Sequence, residues 1–463
     1  MKRLAFLLAA AAVLAGCGTA ARPLLIGPPH DPVRPDTPAP KPYLPRVAVT
    51  VLDGDTNHRV RGAVVSVGGH TARTNAHGIA YVPLAHRAAL VTTARKSAYS
   101  TRAVRLAFRT HPQSTLRIYR PAVQWTMYGA APQRTQAPPA IRVRPPFKVV
   151  WSRGLGSLVE FPAVVQDGVA YVANSRGTIW ALNMRTGTVI WRHTTPHGKM
   201  AASPAVWRDE LVVHGMDGHV WVLRRSDGRL LWHYTVGSPV ESSPVVEDGV
   251  DVFGAWNGSV TALDLRTHRV RWRHYDGCKI TSSVAVSGST LYLGDYCGRL
   301  LALSRASGSL RWSGGVNGRV YGTPAVAGGR VFVPSSTGGS LTAFSTSGRY
   351  LWRRSVGTYV YSSPAVWGGR VFFGAYNGVF YALDARTGAT RWTVGAGGAI
   401  SGAAVVVDGV AYAGSFAHRI VGVDARSGHV VLDFPHGEYV PVSGSGKRLL
   451  LHGFSRIYAV ERR

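Results

Sequence analysis

The chain has 463 residues, with 53 Lys and Arg against 23 Asp and Glu, a formal net charge of +30 and three cysteines. The excess is mostly arginine dispersed along the chain, as at Arg266, Arg269, Arg271 and Arg273, and neither a dense basic run nor a nucleic-acid recognition motif occurs. That excludes nucleic acid as the natural partner; the charge reads either as attraction to anionic lipid head groups and envelope polymers or as an arginine bias on solvated faces.

Lys2 and Arg3 precede an apolar run over 4–15, too short to cross a bilayer and so read as a signal peptide. The run ends in Leu14-Ala15-Gly16-Cys17, which resembles the bacterial lipoprotein lipobox. That resemblance implies cleavage after residue 16 and a diacylglycerol on Cys17, a lipid anchor to the outer face of the cell membrane or to an outer membrane. Several acyl chains, at about 0.8 kcal/mol per buried methylene, make such an anchor stable. Gly18 follows, so the aspartate that retains some lipoproteins at an inner membrane is absent. Residues 17–45, with Pro35, Pro38, Pro40, Pro42 and Pro45, form a stalk of about 3 Å per residue.

Residues 46–120 alternate strand-like runs with turns at Asp53-Gly54, Gly68-Gly69 and His77-Gly78, without helical periodicity. An aspartate turn, then GAVVSV, then TNAHGIAYVPL resembles the carboxypeptidase-regulatory and transthyretin-like β-sandwiches, which implies a noncatalytic seven-stranded spacer. His70, His77 and His86 have no ligand-like spacing and read as solvated loop residues. Residues 121–146, with Pro132, Pro138, Pro139, Pro145 and Pro146, read as a second linker.

Over 147–463 one unit recurs. Tryptophan closes it at Trp151, Trp191, Trp232, Trp272, Trp312, Trp352 and Trp392, and Leu432 fills the eighth slot, at spacings of 40 or 41 residues. In ALDARTGATRW, Ala382 to Trp392, a strand ends at Asp384, whose carboxylate starts a turn. Gly388 supplies a positive φ, and the chain returns with Trp392, a large ring best buried between neighbouring sheets. Such a period predicts an all-β propeller of four-stranded blades. Inner strands open at Phe161, Ser203, Ser243, Ser283, Thr323, Ser363 and Gly402, and an eighth begins near Pro441. The eighth copy lacks its tryptophan strand, whereas FKVVW at Phe147 has no blade before it. Eight blades are therefore expected, the first strand closing the last blade and removing exposed edges.

The pattern A-L-D-x-x-T-G-x-x-x-W, with S-P-x-V-x-x-G-x-V-Y before it, resembles the PQQ-type propeller repeat. A lipidated eight-bladed propeller of this type is similar to the BamB-type lipoproteins of β-barrel assembly, which implies a noncatalytic scaffold binding its partner through surface loops. The same repeat builds quinoprotein dehydrogenases, which oxidise alcohols or sugars with pyrroloquinoline quinone (PQQ) and calcium; fold alone does not decide between them. That enzyme reading implies adjacent cysteines and a convergent oxygen cage for calcium. No two cysteines are adjacent, and Glu160, Asp217, Glu241 and Asp295 near the pocket end form no recognisable motif.

The loops entering the inner strands and the turns after the second strands emerge on one face. They bring Glu241, Tyr321 and Tyr361 together with Trp256, Tyr296 and Tyr376, a surface that serves recognition of a protein, peptide or carbohydrate or else fills the channel mouth. Cys278 and Cys297 project from that face within one blade, so a disulfide is expected in an exported protein, with free thiols as the alternative. The resulting expectation is a monomeric, envelope-anchored scaffold that uses no cofactor and binds an envelope protein or polyanionic polymer. A PQQ-dependent dehydrogenase and a carbohydrate or peptide receptor are the alternatives.

Overall fold

Valines 47, 49 and 51 of the strand Arg46–Asp53 are buried while their neighbours are half-exposed, the period of two that marks a strand with one covered face. That strand lies between Ile79–Pro83 and Gln113–Ile118 in a three-stranded sheet. A four-stranded sheet, in the order His70–Arg73, Val64–Val67, Ala89–Arg95, Arg102–Ala107, shares its core. The structure, a computed structural model, describes residues 45–463 except positions 85, 139 and 197, and the described residues pack as one unit. The signal peptide, Cys17 and the stalk up to residue 44 lie outside the described residues, as does Pro139. Among the described residues there is no α-helix, only a 3-10 turn at Pro121–Val123, and no helix is long and apolar enough to cross a membrane.

Among the described residues, 147–463 forms eight four-stranded antiparallel sheets. The third blade is representative: an inner strand Val245–Glu247, then Val250–Gly254, Ser259–Asp264 and an outer strand Arg269–Tyr275. The eighth sheet joins Val442–Ser445, Arg448–His452 and Arg456–Arg462 to Phe147–Gly154, with Trp151 opposite Ala459. The first strand therefore closes the last blade.

Two parts of the repeated motif have mechanical roles. Across the second to sixth blades, the Ser or Thr opening an inner strand accepts a hydrogen bond from the same position one blade earlier: Ser203 N to Ser243 Oγ at 3.0 Å, Ser243 N to Ser283 Oγ at 2.8 Å, Ser283 N to Thr323 Oγ1 at 3.2 Å and Thr323 N to Ser363 Oγ at 2.8 Å. Each outer-strand tryptophan lies on the turn of the next blade. The Trp352 ring sits where a Cβ on Gly388 would be, and its Nε1–H donates to Ala385 O at 3.3 Å. Gly388 has φ +74°, so both conformation and space demand glycine. His268 breaks the pattern at one junction. It takes φ 57°, stacks its imidazole on Trp232 at 4.2 Å, and leaves Trp232 Nε1 with no hydrogen-bond partner among the described residues.

Every outer strand carries a register shift beside its tryptophan or, in the seventh blade, Leu432. Such bulges twist an edge strand away from edge-to-edge pairing.

The stretch that reads as a linker is something else. Trp125, Arg134 and Gln136 are fully or almost fully buried, and the backbone between them runs inside the ring. Carbonyls of Trp125, Thr126, Pro132, Gln133, Thr135 and Gln136 accept the N–H of Val165, Val206, Val286, Val326, Val366 and Val406 in turn, at 2.7–2.9 Å. Each valine belongs to an inner strand whose channel-facing edge would otherwise be unpaired. Proline suits this role because only its carbonyl is used. The third blade is reached by Arg134, whose guanidinium donates to Ser243 O at 3.1 Å, Pro244 O at 2.9 Å, Val284 O at 2.9 Å and Tyr128 O. Residues 125–136 are a plug.

The sandwich meets the end of the propeller opposite the loops that enter the inner strands. Gln124 Nε2 donates to both oxygens of Asp55, at 3.3 and 3.1 Å, and its Oε1 accepts from Asp167 N at 3.0 Å. Tyr119 wedges between Gly54 and Gly168.

Candidate functional site

At the other end the ring positions one residue per blade. At steps of 40 residues Glu241, Thr281, Tyr321, Tyr361 and Ser401 stand just before the inner strands of successive blades, and these surround a cavity of about 130 Å³ whose floor is Tyr128 of the plug. Glu160, Phe161 and Tyr439 complete the wall. The turns after the second strands add Trp256, Tyr296, Tyr376 and Phe416, again on the 40-residue step, with Ser336 in the slot between Tyr296 and Tyr376.

These rings touch in sequence. Centroids are 4.5 Å apart for Tyr296 and Tyr321, 5.0 Å for Tyr321 and Tyr361, and 4.9 Å for Tyr361 and Tyr376. The chain continues through Phe416 at 6.0 Å to Tyr439 at 5.4 Å. At the other end of the crescent the Lys279 ammonium lies 3.2 Å from the Trp256 ring centre and 4.8 Å from that of Tyr296, a cation held between two aromatic faces. Trp256 Nε1 donates to Glu241 Oε2 at 3.1 Å. The six surface residues expected from the sequence, Glu241, Trp256, Tyr296, Tyr321, Tyr361 and Tyr376, thus share one face. Phe416, Tyr439, Tyr359 and Lys279 belong with them. The 40-residue period from Tyr376 points to Phe416, whereas nothing in the sequence pairs Lys279 with Trp256.

Two carboxylates interrupt the aromatic wall. Burial, reinforced by the neighbouring Glu241, pushes Glu160 up to about 7, with Lys199 opposing the shift. Glu241 is raised by burial too, while Trp256, Lys279 and Lys199 favour its charged form. Asp217 and Asp295 serve elsewhere. Asp217 accepts from Trp221 Nε1 at 3.2 Å and Asp295 from Arg299 Nε at 2.8 Å, each within its own turn. Cys278 and Cys297 form a disulfide with Cα atoms 5.9 Å apart, tying the loop into the fourth blade to the turn beside it. Asp276, Cys278 and Asp295 lie close together, but the sulfur is spent in the bridge and Arg299 binds both carboxylates, at 2.7 and 2.8 Å. That is an ion-pair cluster. His70, His77 and His86 are all exposed, but His70 opens a strand, paired with Val67, and is not a loop residue.

The family described as "Outer membrane protein assembly factor BamB" matches residues 146–256, 256–354 and 335–438, more than half of the sequence. The chain belongs to that family. Among relatives of this BamB-family chain, the outer membrane protein assembly factor BamB of Yersinia pestis is 28% identical over 127 residues, 24% of this chain and 32% of that protein. The chain thus spans about a third or less of the length of the curated BamB relatives it matches. BamB from Moraxella catarrhalis superposes with TM-score 0.59 at 14% identity, covering 68% of this chain and 99% of that one. The quinohemoprotein alcohol dehydrogenase of Comamonas testosteroni superposes with TM-score 0.64 at 14% identity, covering 73% and 80%. These superpositions show the propeller fold.

The mouth of this BamB-family chain does not fit a bound pyrroloquinoline quinone. Ligand pockets run to about 300–1,000 Å³, against about 130 Å³ here, where Tyr128 and the plug fill the axis below. A calcium ion takes about six to eight oxygens, whereas the paired glutamates here are already faced by Lys199.

Proposed function

We propose that this chain is a noncatalytic scaffold of the bacterial envelope, held by lipid on Cys17 and a proline-rich stalk, with the sandwich as spacer. Its propeller mouth docks a segment of an envelope protein partner. The observation that carries this reading is the contiguous aromatic crescent, exposed at Trp256, Tyr359 and Phe416, lying over a channel closed from within by its own chain. A filled axis leaves a contact surface rather than a reaction chamber. Rigid rings bury area at low entropic cost. Membership of the BamB family supports a role alongside other envelope proteins, and a monomer suffices for it.

A photo-crosslinking residue at Tyr361 or Tyr376 in intact cells is expected to capture discrete protein adducts. With the crosslinker at Tyr376, Tyr321→Ala with Tyr361→Ala should abolish capture while leaving the melting temperature within a few degrees. A fall in melting temperature of ten degrees or more with capture retained would instead make the rings filler. Sugar-dependent dye reduction after adding PQQ and calcium would overturn the noncatalytic reading.

A further inference from the structure

The repeat supplies its own control for the outer rim. The two residues before each closing tryptophan, or before Leu432, occupy the same bulged position in every blade, at the propeller end that bears the sandwich. In the seventh and eighth blades they are Val430-Val431 and Val149-Val150. In the first and second they are Val189-Ile190 and Leu230-Leu231, and all eight side chains are 40–53% exposed. Around the rest of the ring the pairs are broken: the second position is Arg271, Arg311 or Arg391 in three of four blades, leaving Leu310 exposed beside an arginine, and the fifth blade carries an exposed Tyr350 beside a half-buried Leu351. The backbone is the same in both halves, so the fold does not require these aliphatic pairs. They run over four consecutive blades, an exposed apolar arc of the kind that marks a contact surface.

The chemistry beside the arc selects the occupant. Lys148 adjoins Val149, and Arg185, Arg229 and Arg426 stand in the same turns as the other three pairs. Ile190 is also one wall of a cleft of about 560 Å³ between the sandwich and the propeller. Arg102 and Arg117 of the sandwich face Arg185, Lys447 and Arg448 of the propeller across it. Its three carboxylates are engaged: Asp167 with Arg225 at 3.2 Å, Glu461 with Arg448 and Asp55 with Gln124. A convex rim with pairs one blade apart offers a peptide no groove, whereas a fluid surface conforms to it. Aliphatic pairs beside a cationic cleft match acyl chains beside phosphate head groups.

We infer that the rim of the seventh, eighth, first and second blades, together with the adjoining basic cleft, is a contact site for an anionic lipid surface. This contact is separate from any acyl anchor and fixes which side of the propeller meets the bilayer.

The test uses the full chain carrying single cysteines at Val150, Ile190, Arg311 or Arg391, labelled with an environment-sensitive dye. Cys278 and Cys297 are bridged, so the unsubstituted chain reports only labelling at Cys17. With phosphatidylglycerol vesicles, dye at Val150 and Ile190 should brighten about twofold and shift to shorter wavelength, and dye at Arg311 and Arg391 should not. The response should weaken with phosphatidylcholine alone and with salt. An equal response at all four sites, or none, overturns the proposal. So does a change without vesicles that grows with protein concentration, which would make a second copy the occupant.

Discussion

The ring and the plug inside it solve opposite problems. In the ring, eight copies of one sheet repeat the same hydroxyl-to-amide link at four junctions and the same tryptophan-on-glycine lock at six. The plug has no period at all, yet it reaches seven of the eight inner strands, six through backbone carbonyls and the third blade through one arginine. The ring is redundant and the plug is not. Damage to one lock leaves its copies intact, whereas damage at Arg134 has no substitute.

Arg134 is therefore where that contrast breaks hardest. Burial lowers its pKa to about 10, Tyr128 opposing, and it faces carbonyl dipoles rather than a carboxylate. Arg134→Ala orphans four buried carbonyls and should cost about 3–5 kcal/mol in urea unfolding, with Arg134→Lys recovering only part. The next largest effect belongs to the bridge between positions 19 apart. Cys278→Ser with Cys297→Ser should cost about 3 kcal/mol in the loop-entropy account, and reductant should reproduce it in the parent.

A single lock should cost less. Gly388→Ala forces a Cβ into the Trp352 ring at positive φ and should lower stability by about 1–3 kcal/mol while the other blades stay protected from hydrogen exchange. A loss as large as that of Arg134→Ala would erase the distinction between redundant and unique parts. The smallest effect is at the mouth. Glu160 binds its proton more tightly when folded than its ordinary value of 4.5, so ionisation costs stability as pH rises from about 4.5 through about 7. Glu160→Gln should stabilise by about 1 kcal/mol at pH 8, partial exposure trimming the shift, and change nothing at pH 4.

The same contrast explains what could be read from the sequence. Period carried the blade positions, the closing strand at Phe147, the shared face of Glu241 and Tyr361, and the placement of Cys278 beside Cys297. A fixed step converts position into geometry. Residues 125–136 have no step, and their prolines look like a free connector because composition is silent about where carbonyls point. Their role depends on inner-strand edges that exist only once the ring has formed. Lys279 escaped notice for a related reason, since its meeting with Trp256 is set by loops from two adjacent blades.

The strand Phe147–Gly154 waits for a partner made much later. During synthesis or export the first blade material to appear cannot finish its sheet until Arg456–Arg462 has emerged, more than 300 residues later. A chain interrupted anywhere between has two raw edges and a plug without its full set of inner strands, so quality control by proteases would meet either a sealed wheel or an open one, with little in between.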